Sequence, residues 1–583
     1  MNLYSGIAAS SSYAIGKIFI LANTKLVIPC RKIPSSKKTS DWNRFQTALG
    51  EAVASISESI SSAKEENKEI FQTHLLMLSD YDFISQVKQS YDENSYNIEY
   101  ILNNKVLEFA DKLKNSGNTF FQDRSNDIVD AYNHVLCNLL QIEPFSTDKI
   151  PENAIIAAES ISPSQALTLS ELKISGFITK EGGADCHLAI LARSYGIPFV
   201  SGIKDVTTLL KNDETVILDG TNGLVIAEPD EETLDKYRKL QAADIEYQAF
   251  LEKYADKPAK TKDGTAFTLL ANITSVEETK KALKNGADGV GLFRTEFLFM
   301  NRDSITEDFQ YETYRSVLSA MQGKPVTIRT LDAGGDKIID SQDFIELDAE
   351  TSQEKNPLLG CRAIRFCSRH PDIFKTQLRA LLRASAGFDS LKIMIPLICS
   401  VPEVTQTLKL IEEIKSELAS ANIDFCKTVP VGIMVETPAA SILADRLAKV
   451  SDFFSIGTND LTQYTLCVDR ENTLVADLFS EFNPAVLLSI KNIVEAAHSN
   501  DIHVSVCGEL ASKPEGVFIL AGLGVHTLST SPSFICRIKH LLSLFDMKEI
   551  TEITSKALEL EDASKTIDYI NKFIAERMKN ETK

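Results

Sequence analysis

The stretch Phe453-Phe-Ser-Ile-Gly-Thr-Asn-Asp460 reads as a short apolar strand that ends abruptly in polar residues, and it is one of several of its kind. Apolar, β-branched runs that predict strands recur at Phe267–Ile273, Gly289–Glu296, Val326–Asp332, Leu391–Ile398, Val429–Glu436, Phe453–Thr458, His503–Glu509 and His526–Ser529. Amphipathic helical segments such as Pro402–Ala419 separate them. Eight strands alternating with helices over this length predict a (β/α)8 barrel. Arg294, Arg329, Glu436, Asn459, Asp460 and Cys507 all fall at or just past the C-terminal end of a strand, the rim where barrel enzymes place their chemistry.

Outward toward the N-terminus the pattern changes. Ala14–Leu21 predicts a strand whose partners come much later in the chain. From Trp42 to Leu140 the spacing is helical, with Phe45, Leu49, Val53 and Ile56 on one face, which predicts an all-helical insert. His74 within it reads as a helix-surface or half-buried residue with no catalytic role. The run Leu75 to Leu78 offers an apolar patch to a partner. Strand signals return at Ala154–Ala158, Gly176–Thr179, Pro198–Val200 and Thr215–Asp219, with Asp219-Gly220 and Asn222-Gly223 as turns. They predict a small α/β domain. The charged segment from Pro229 to Lys260, with Leu234, Tyr237, Leu240 and Leu251 at helical intervals, predicts a helical linker. The expected division is residues 1–22 with 146–228 as the small α/β domain, 23–145 as the insert, 229–260 as the linker and 261–583 as the barrel.

Within the small domain, Gly182-Gly-Ala-Asp-Cys-His187 leads into an apolar helical stretch from Leu188 that stops before Gly196 and Pro198. His187 is therefore expected on the first turn of a helix, where unpaired amides and the positive end of the dipole favour an anion such as phosphate. The same field favours the neutral, nucleophilic imidazole. His187 is thus a candidate for transient phosphorylation. Taken alone, a histidine behind a glycine turn is more often a buried structural residue.

Composition narrows the partners. With 81 acidic and 61 basic residues the formal charge is −20, which argues against nucleic acid and against anionic membrane surfaces. No apolar run approaches the roughly 20 residues needed to cross a bilayer, and no secretory signal opens the chain, so the expected location is cytoplasmic. Ten cysteines stand singly with no Cys-x-x-Cys pair, which signals neither a disulfide framework nor a zinc site.

The rim residues suit one chemistry. Arg294, Arg329 and Arg362, with Arg470 further on, offer planar forks for carboxylate and phosphate oxygens. At 4 Å and an effective dielectric of 20 one such pair is worth about 4 kcal/mol, whereas charges beyond about 8 Å are largely screened, so local arginines overcome the net charge. Glu436 and Asp460, together with substrate oxygens, suit Mg²⁺. Cys507 in Val-Cys-Gly-Glu is available as a thiol acid. Each has a plainer reading: the arginines and Glu436 as surface ion pairs, Cys507 as core filling. Their joint placement on one rim favours the chemical one.

Five stretches carry a resemblance: Asp452–Arg470, Gly289–Met300, Arg329–Lys337, Gly432–Ala440 and Cys507–Glu509. On these, nearly the full chain resembles the Enzyme I family of the bacterial sugar phosphotransferase system. The resemblance implies that phosphoenolpyruvate binds the barrel with Mg²⁺ and phosphorylates His187, which then passes the group to a histidine of the carrier protein HPr, the first step of sugar uptake. It further implies that Arg294, Arg329 and Arg470 contact phosphoenolpyruvate and that Asn459 and Asp460 serve substrate and metal. Glu436 is then the second metal ligand, Cys507 the acid that protonates the enolate, the barrel the dimer interface and the insert the HPr dock. Arg362 joins the substrate-binding set.

Three departures stand out. Asp185-Cys186 replaces Thr-Ser before the histidine, and Asp185 is expected to cap the helix instead. Ser10–Gly16 replaces a Pro-Gly turn, and Cys467 stands where the family has a smaller residue. A dikinase or synthase of the same superfamily would need an ATP-binding domain for which there is no room before His187. A nitrogen-pathway paralogue would carry a sensory domain first. A non-catalytic scaffold is disfavoured by the intact rim.

Overall fold

The computed structural model describes all residues except 22–27, 63–64, 115–118, 143–149, 162, 171, 183–187, 190–191, 194–195, 300–305, 335–353, 355, 471, 473 and 582–583. His187, Asp185 and Cys186 therefore lie outside the described residues. The chain divides into two compact units, Met1–Gln248 and Ala249–Lys583.

In the first unit, β1 (Asn2–Ser5), β2 (Ile7–Ser10), β3 (Tyr13–Ile20), β4 (Ile155–Ala158), β5 (Gly176–Thr179), β6 (Phe199–Ser201), β7 (Thr215–Asp219) and β8 (Leu224–Ala227) form one sheet. Its order is β1-β8-β7-β3-β4-β5-β6-β2. The centre, β3 to β6, is parallel, and β4 and β5 are buried along their whole length, as continuous apolar runs such as Ile-Ile-Ala-Ala require. The predicted turn after β7 closes a hairpin: Asp219 Oδ1 accepts from the N–H groups of Thr221 and Asn222.

Among the described residues, five α-helices run between β3 and β4: Lys38–Ser62, Glu65–Ser79, Tyr81–Glu93, Ile98–Lys114 and Thr119–Leu140. The first buries Phe45, Ala48, Ala52 and Ile56, while Leu49 and Val53 flank that stripe, a one-position rotation of the expected face. Each large apolar side chain buried here contributes about 1.5–3 kcal/mol. Asp80 caps the third helix, accepting from the N–H groups of Asp82 and Phe83. His74 is fully buried, a correction to the expected surface or half-buried position, because its helix face turns into the bundle beside Asp130, with Nε2 3.8 Å from Oδ2. Leu76 is the member of the Leu75–Leu78 run that stays exposed.

The stretch expected as a linker holds a helix, Glu231–Glu252. Its first half packs on the sheet: Leu234 and Tyr237 meet Ile217 and Ile226, and the Tyr237 hydroxyl donates to Asp219 Oδ2 at 2.9 Å.

In the second unit, β9 (Thr268–Ile273), β10 (Gly289–Phe293), β11 (Val326–Arg329), β12 (Leu391–Ile395), β13 (Val431–Val435), β14 (Phe453–Ile456), β15 (His503–Val506) and β16 (Thr527–Thr530) close into the expected barrel, every neighbouring pair parallel. Outside it lies one continuous apolar core between strands and helices. Inside it, Leu292, Met394, Met434, Phe453 and Cys507 form a smaller cluster. Several strands end one to three residues before the expected limits, so that Glu296, Asp332 and Glu436 lie past the strand ends and Thr458 opens the helix that follows its strand. Because all strands run one way, those ends share one mouth.

Candidate active site at the barrel mouth

Arg329 is the last residue of β11, and its guanidinium is buried. Nη2 donates to Glu296 Oε1 at 2.8 Å and Nη1 lies 3.2 Å from Asp332 Oδ2. Glu296 Oε1 also accepts from the Asp332 N–H at 3.2 Å, which locks the two loops after β10 and β11 together. Burial works against the Arg329 charge, but Glu296, Asp332 and Glu436 outweigh it and hold the group protonated.

Arg362 lies deeper and bridges three partners. Its Nη2 donates to both oxygens of Asp332, at 3.0 and 3.1 Å, and to Asp460 Oδ2 at 3.1 Å, while Nη1 donates to the Tyr464 hydroxyl at 3.2 Å. Arg470 Nη1 stands 3.5 Å from the other oxygen of Asp460. Asp460 is therefore held between two arginines. It sits in the helix Thr458–Leu466 that follows β14, and Asn459 beside it accepts from the Glu509 N–H at 2.8 Å. Arg294, directly after β10, is exposed.

Glu436, one residue past β13, is buried and accepts from the Leu397 N–H at 2.7 Å. Gly457 is needed opposite it: a Cβ there would lie 2.7 Å from Glu436 Oε2. Burial, then Asp460 and Asp332, push the Glu436 carboxyl well above the usual range. Cys507, one residue past β15, combines both of its sequence readings: it packs in the interior cluster, and its thiol feels Glu436, Arg329 and Arg294. Burial is the larger effect and keeps the thiol protonated.

The structure thus brings Arg329, Arg362, Asp460, Arg470 and Glu436 into one charged network, with Cys507 beneath it and Asn459 at its edge. The sequence reading passed over Glu296, Asp332 and Tyr464, which hold the arginines in place. A signal existed, since an acid follows each strand-end arginine by two or three residues, in Arg294-x-Glu296 and Arg329-x-x-Asp332.

The donor set suits a hard divalent cation. Among the described residues no group of three or more His, Cys, Asp and Glu side chains gathers in a way that would hold a metal alone. Two buried carboxylates, one of them kept protonated by burial and then by the other's charge, match instead the Mg²⁺ pattern in which substrate and water complete the shell. Glu436 and Asp460 are the residues that would hold it, and it would neutralise charge on a bound phosphate.

A closed parallel barrel whose C-terminal rim gathers arginines and carboxylates defines an enzyme of the (β/α)8 class that handles a small anion. Residues 248–547 match the family described as PEP-utilising enzyme, PEP-binding domain, residues 150–223 its mobile domain and residues 5–124 its N-terminal domain. The phosphoenolpyruvate-protein phosphotransferases of Listeria innocua and Bacillus subtilis are 37% and 38% identical to this chain, each over 98% of it and 99% of the relative, and that of Geobacillus stearothermophilus is 38% identical over 97% of both. The chain belongs to the phosphoenolpyruvate-protein phosphotransferase family, the Enzyme I branch of the PEP-utilising enzymes. Among the described residues no helix is long and apolar enough to cross a membrane.

Proposed function

We propose that the barrel mouth binds phosphoenolpyruvate, that His187 takes its phosphoryl group, and that the phosphohistidine passes it to a histidine of HPr. The observation that carries this reading is a pair of buried donors, Arg329 Nε and Arg470 Nη1, that make no hydrogen bond among the described residues, Arg470 Nη1 having only the 3.5 Å ion pair with Asp460. A buried, unsatisfied guanidinium nitrogen is costly, and a small anion in the mouth would satisfy both. Arg294, Arg329, Arg362 and Arg470 then neutralise phosphate and carboxylate oxygens, and Asn459 orients the substrate. His187 attacks phosphorus in line as the bond to the enol oxygen breaks. The electron pair moves to the departing enolate, and the neutral Cys507 thiol supplies the proton that makes pyruvate. Mg²⁺ held by Glu436 and Asp460 would supply charge neutralisation.

In this reading residues 1–22 with 146–228 carry the phosphohistidine, 23–145 dock HPr, 229–260 link, and 261–583 bind substrate and dimerise. Residues 188–189 and 192–193, just past His187 in sequence, are helical, and Leu188, Ala189 and Ala192 are buried. One imidazole serving two partners requires its domain to swing. The protein would work in the cytoplasm, at the head of sugar uptake.

Incubation with labelled phosphoenolpyruvate and Mg²⁺ should leave an acid-labile, base-stable label that His187→Ala removes. A label that persists in His187→Ala would overturn the assignment.

A further inference from the structure

Glu481 lies in the turn before the helix Pro484–Ser499, past the mouth residues Asp460 and Arg470 in the chain, and is 2% exposed. A buried carboxylate needs partners, and this one has three from separate places. Its Oε1 accepts from Thr458 Oγ1 at 2.5 Å and from the Leu510 N–H at 3.0 Å, and its Oε2 accepts from Lys513 Nζ at 2.7 Å. Thr458 opens the helix whose next two residues are Asn459 and Asp460. Leu510 stands three residues after Cys507. One carboxylate therefore ties the loop bearing the thiol to the helix bearing the substrate and metal pair.

Two further contacts show how closely these elements meet. The Glu509 N–H donates to Asn459 Oδ1 at 2.8 Å, and a Cβ on Gly508 would lie 2.0 Å from Thr458 Oγ1. With so little room, a shift of the Thr458 hydroxyl displaces both sides of the mouth. We infer that Glu481 is a positioning residue, which fixes Cys507 relative to Asn459 and Asp460 and has Lys513 as its countercharge. Glutamine cannot replace it: an amide keeps one acceptor oxygen where three donors converge, and sets its own donors against the Lys513 ammonium or the Leu510 N–H.

This inference rests on the reading of the mouth as the phosphoenolpyruvate site. The test follows the full chain through both half-reactions, labelling by phosphoenolpyruvate at varied Mg²⁺ and transfer from the pre-labelled chain to HPr. In Glu481→Gln the labelling rate is expected to fall about 10- to 100-fold, and half-saturating Mg²⁺ to rise, as for loss of an outer-layer support. Transfer onward to HPr, which does not use the mouth, should keep its rate. Thr458→Val, which cuts the same tie, should act in the same direction, and Thr458→Ser should restore most of the rate. These Thr458 variants decide the matter if Glu481→Gln does not fold. Wild-type labelling and Mg²⁺ dependence in both Glu481→Gln and Thr458→Val would overturn the inference, as would an equal loss in both half-reactions alongside a lowered melting point. Asp460→Asn separates the two failures: if it labels at the wild-type rate, the reading of the mouth itself falls.

Discussion

Arg362 and Asp460 meet inside the barrel mouth, with Nη2 3.1 Å from Oδ2 and the guanidinium 1% exposed. The same guanidinium holds both oxygens of Asp332, so one planar fork aligns a rim loop with the helix after β14. Its rigidity matters more than its charge, because a lysine ammonium cannot meet Asp332, Asp460 and Tyr464 together.

Arg362→Lys is accordingly expected to lower the labelling rate from phosphoenolpyruvate about 100-fold, the scale of a displaced reacting group. It should also cost about 3 kcal/mol of stability, since a buried bidentate pair is broken. Single-turnover labelling and thermal unfolding check both. A lysine variant that matches the wild type in each would show the fork to be dispensable.

The buried Glu436 carboxyl makes a prediction about pH. Burial and the nearby Asp460 and Asp332 hold its folded value above the ordinary 4.5. A raised acid contributes stability that is full below the unfolded value and drains away as pH rises toward the folded one. Without Mg²⁺, the urea midpoint of the barrel should therefore fall from pH 5 to pH 8 more steeply in the wild type than in Glu436→Gln. Added Mg²⁺ should offset the fall in the wild type alone, because a cation favours the ionised carboxylate. Equal slopes in the two proteins would contradict this.

Much of this arrangement could be read before any coordinates, and the limits of that reading have physical causes. Eight apolar runs recurred, six of them ending in a polar residue, so strand count, direction and rim followed together. Hydrophobicity does not stop where backbone pairing stops, so strands such as Val429–Glu436 were read too long. The edge strands β1 and β2, and β8 beside β1, were missed, since Asn2–Ser5 pairs with Leu224–Ala227 across more than 200 residues and four-residue strands carry little alternation. Arg362 was legible as an arginine in the right region, but its engagement of Asp332 and Asp460 depends on loops whose paths no local pattern sets. Cys507 was legible only as two alternatives, and it turned out to satisfy the packing of one and the electrostatics of the other.

A separate acid weakness is expected in the helical insert. Glu99 is buried and accepts from Arg44 Nη2 at 2.8 Å and Asn97 Nδ2 at 2.8 Å, while Arg44 Nη1 holds Asp41 at 2.6 Å. Burial would raise the Glu99 carboxyl, but these donors outweigh it and hold it below its ordinary value. Its contribution is full above the unfolded value, near 4.5, and is lost as pH falls toward the folded one. Trp42, the one tryptophan of the chain, packs on Phe45 and Tyr91 beside this cluster and reports on it alone. Trp42 fluorescence should show the urea midpoint falling below pH 4.5. Arg44→Met should cost about 1–3 kcal/mol at pH 7 and flatten that acid dependence.

Two departures from the family pattern, Ser12 and Cys467, share a backbone feature that orders their expected effects. Both carry positive φ, +119° at Ser12 and +56° at Cys467, where a side chain meets the following carbonyl and glycine does not. Cys467 closes the helix Thr458–Leu466, is exposed, and among the described residues its side chain has only a 3.8 Å contact from Sγ to the Tyr464 carbonyl to offset the strain. Ser12 recovers part of its cost, because Oγ donates to Asp244 Oδ2 at 2.8 Å and its carbonyl accepts from the Gly220 N–H. Relief of strain exceeds the added unfolded-state entropy of glycine at Cys467, so Cys467→Gly should stabilise the barrel by about 0.5–1 kcal/mol, or about 1–3 °C. Ser12→Gly gives up a hydrogen bond worth about 1 kcal/mol and should leave its unit nearly unchanged. Thermal unfolding of the two variants tests the order. A larger gain at Ser12 than at Cys467 would mean that the Asp244 contact contributes nothing and that backbone strain alone sets both values.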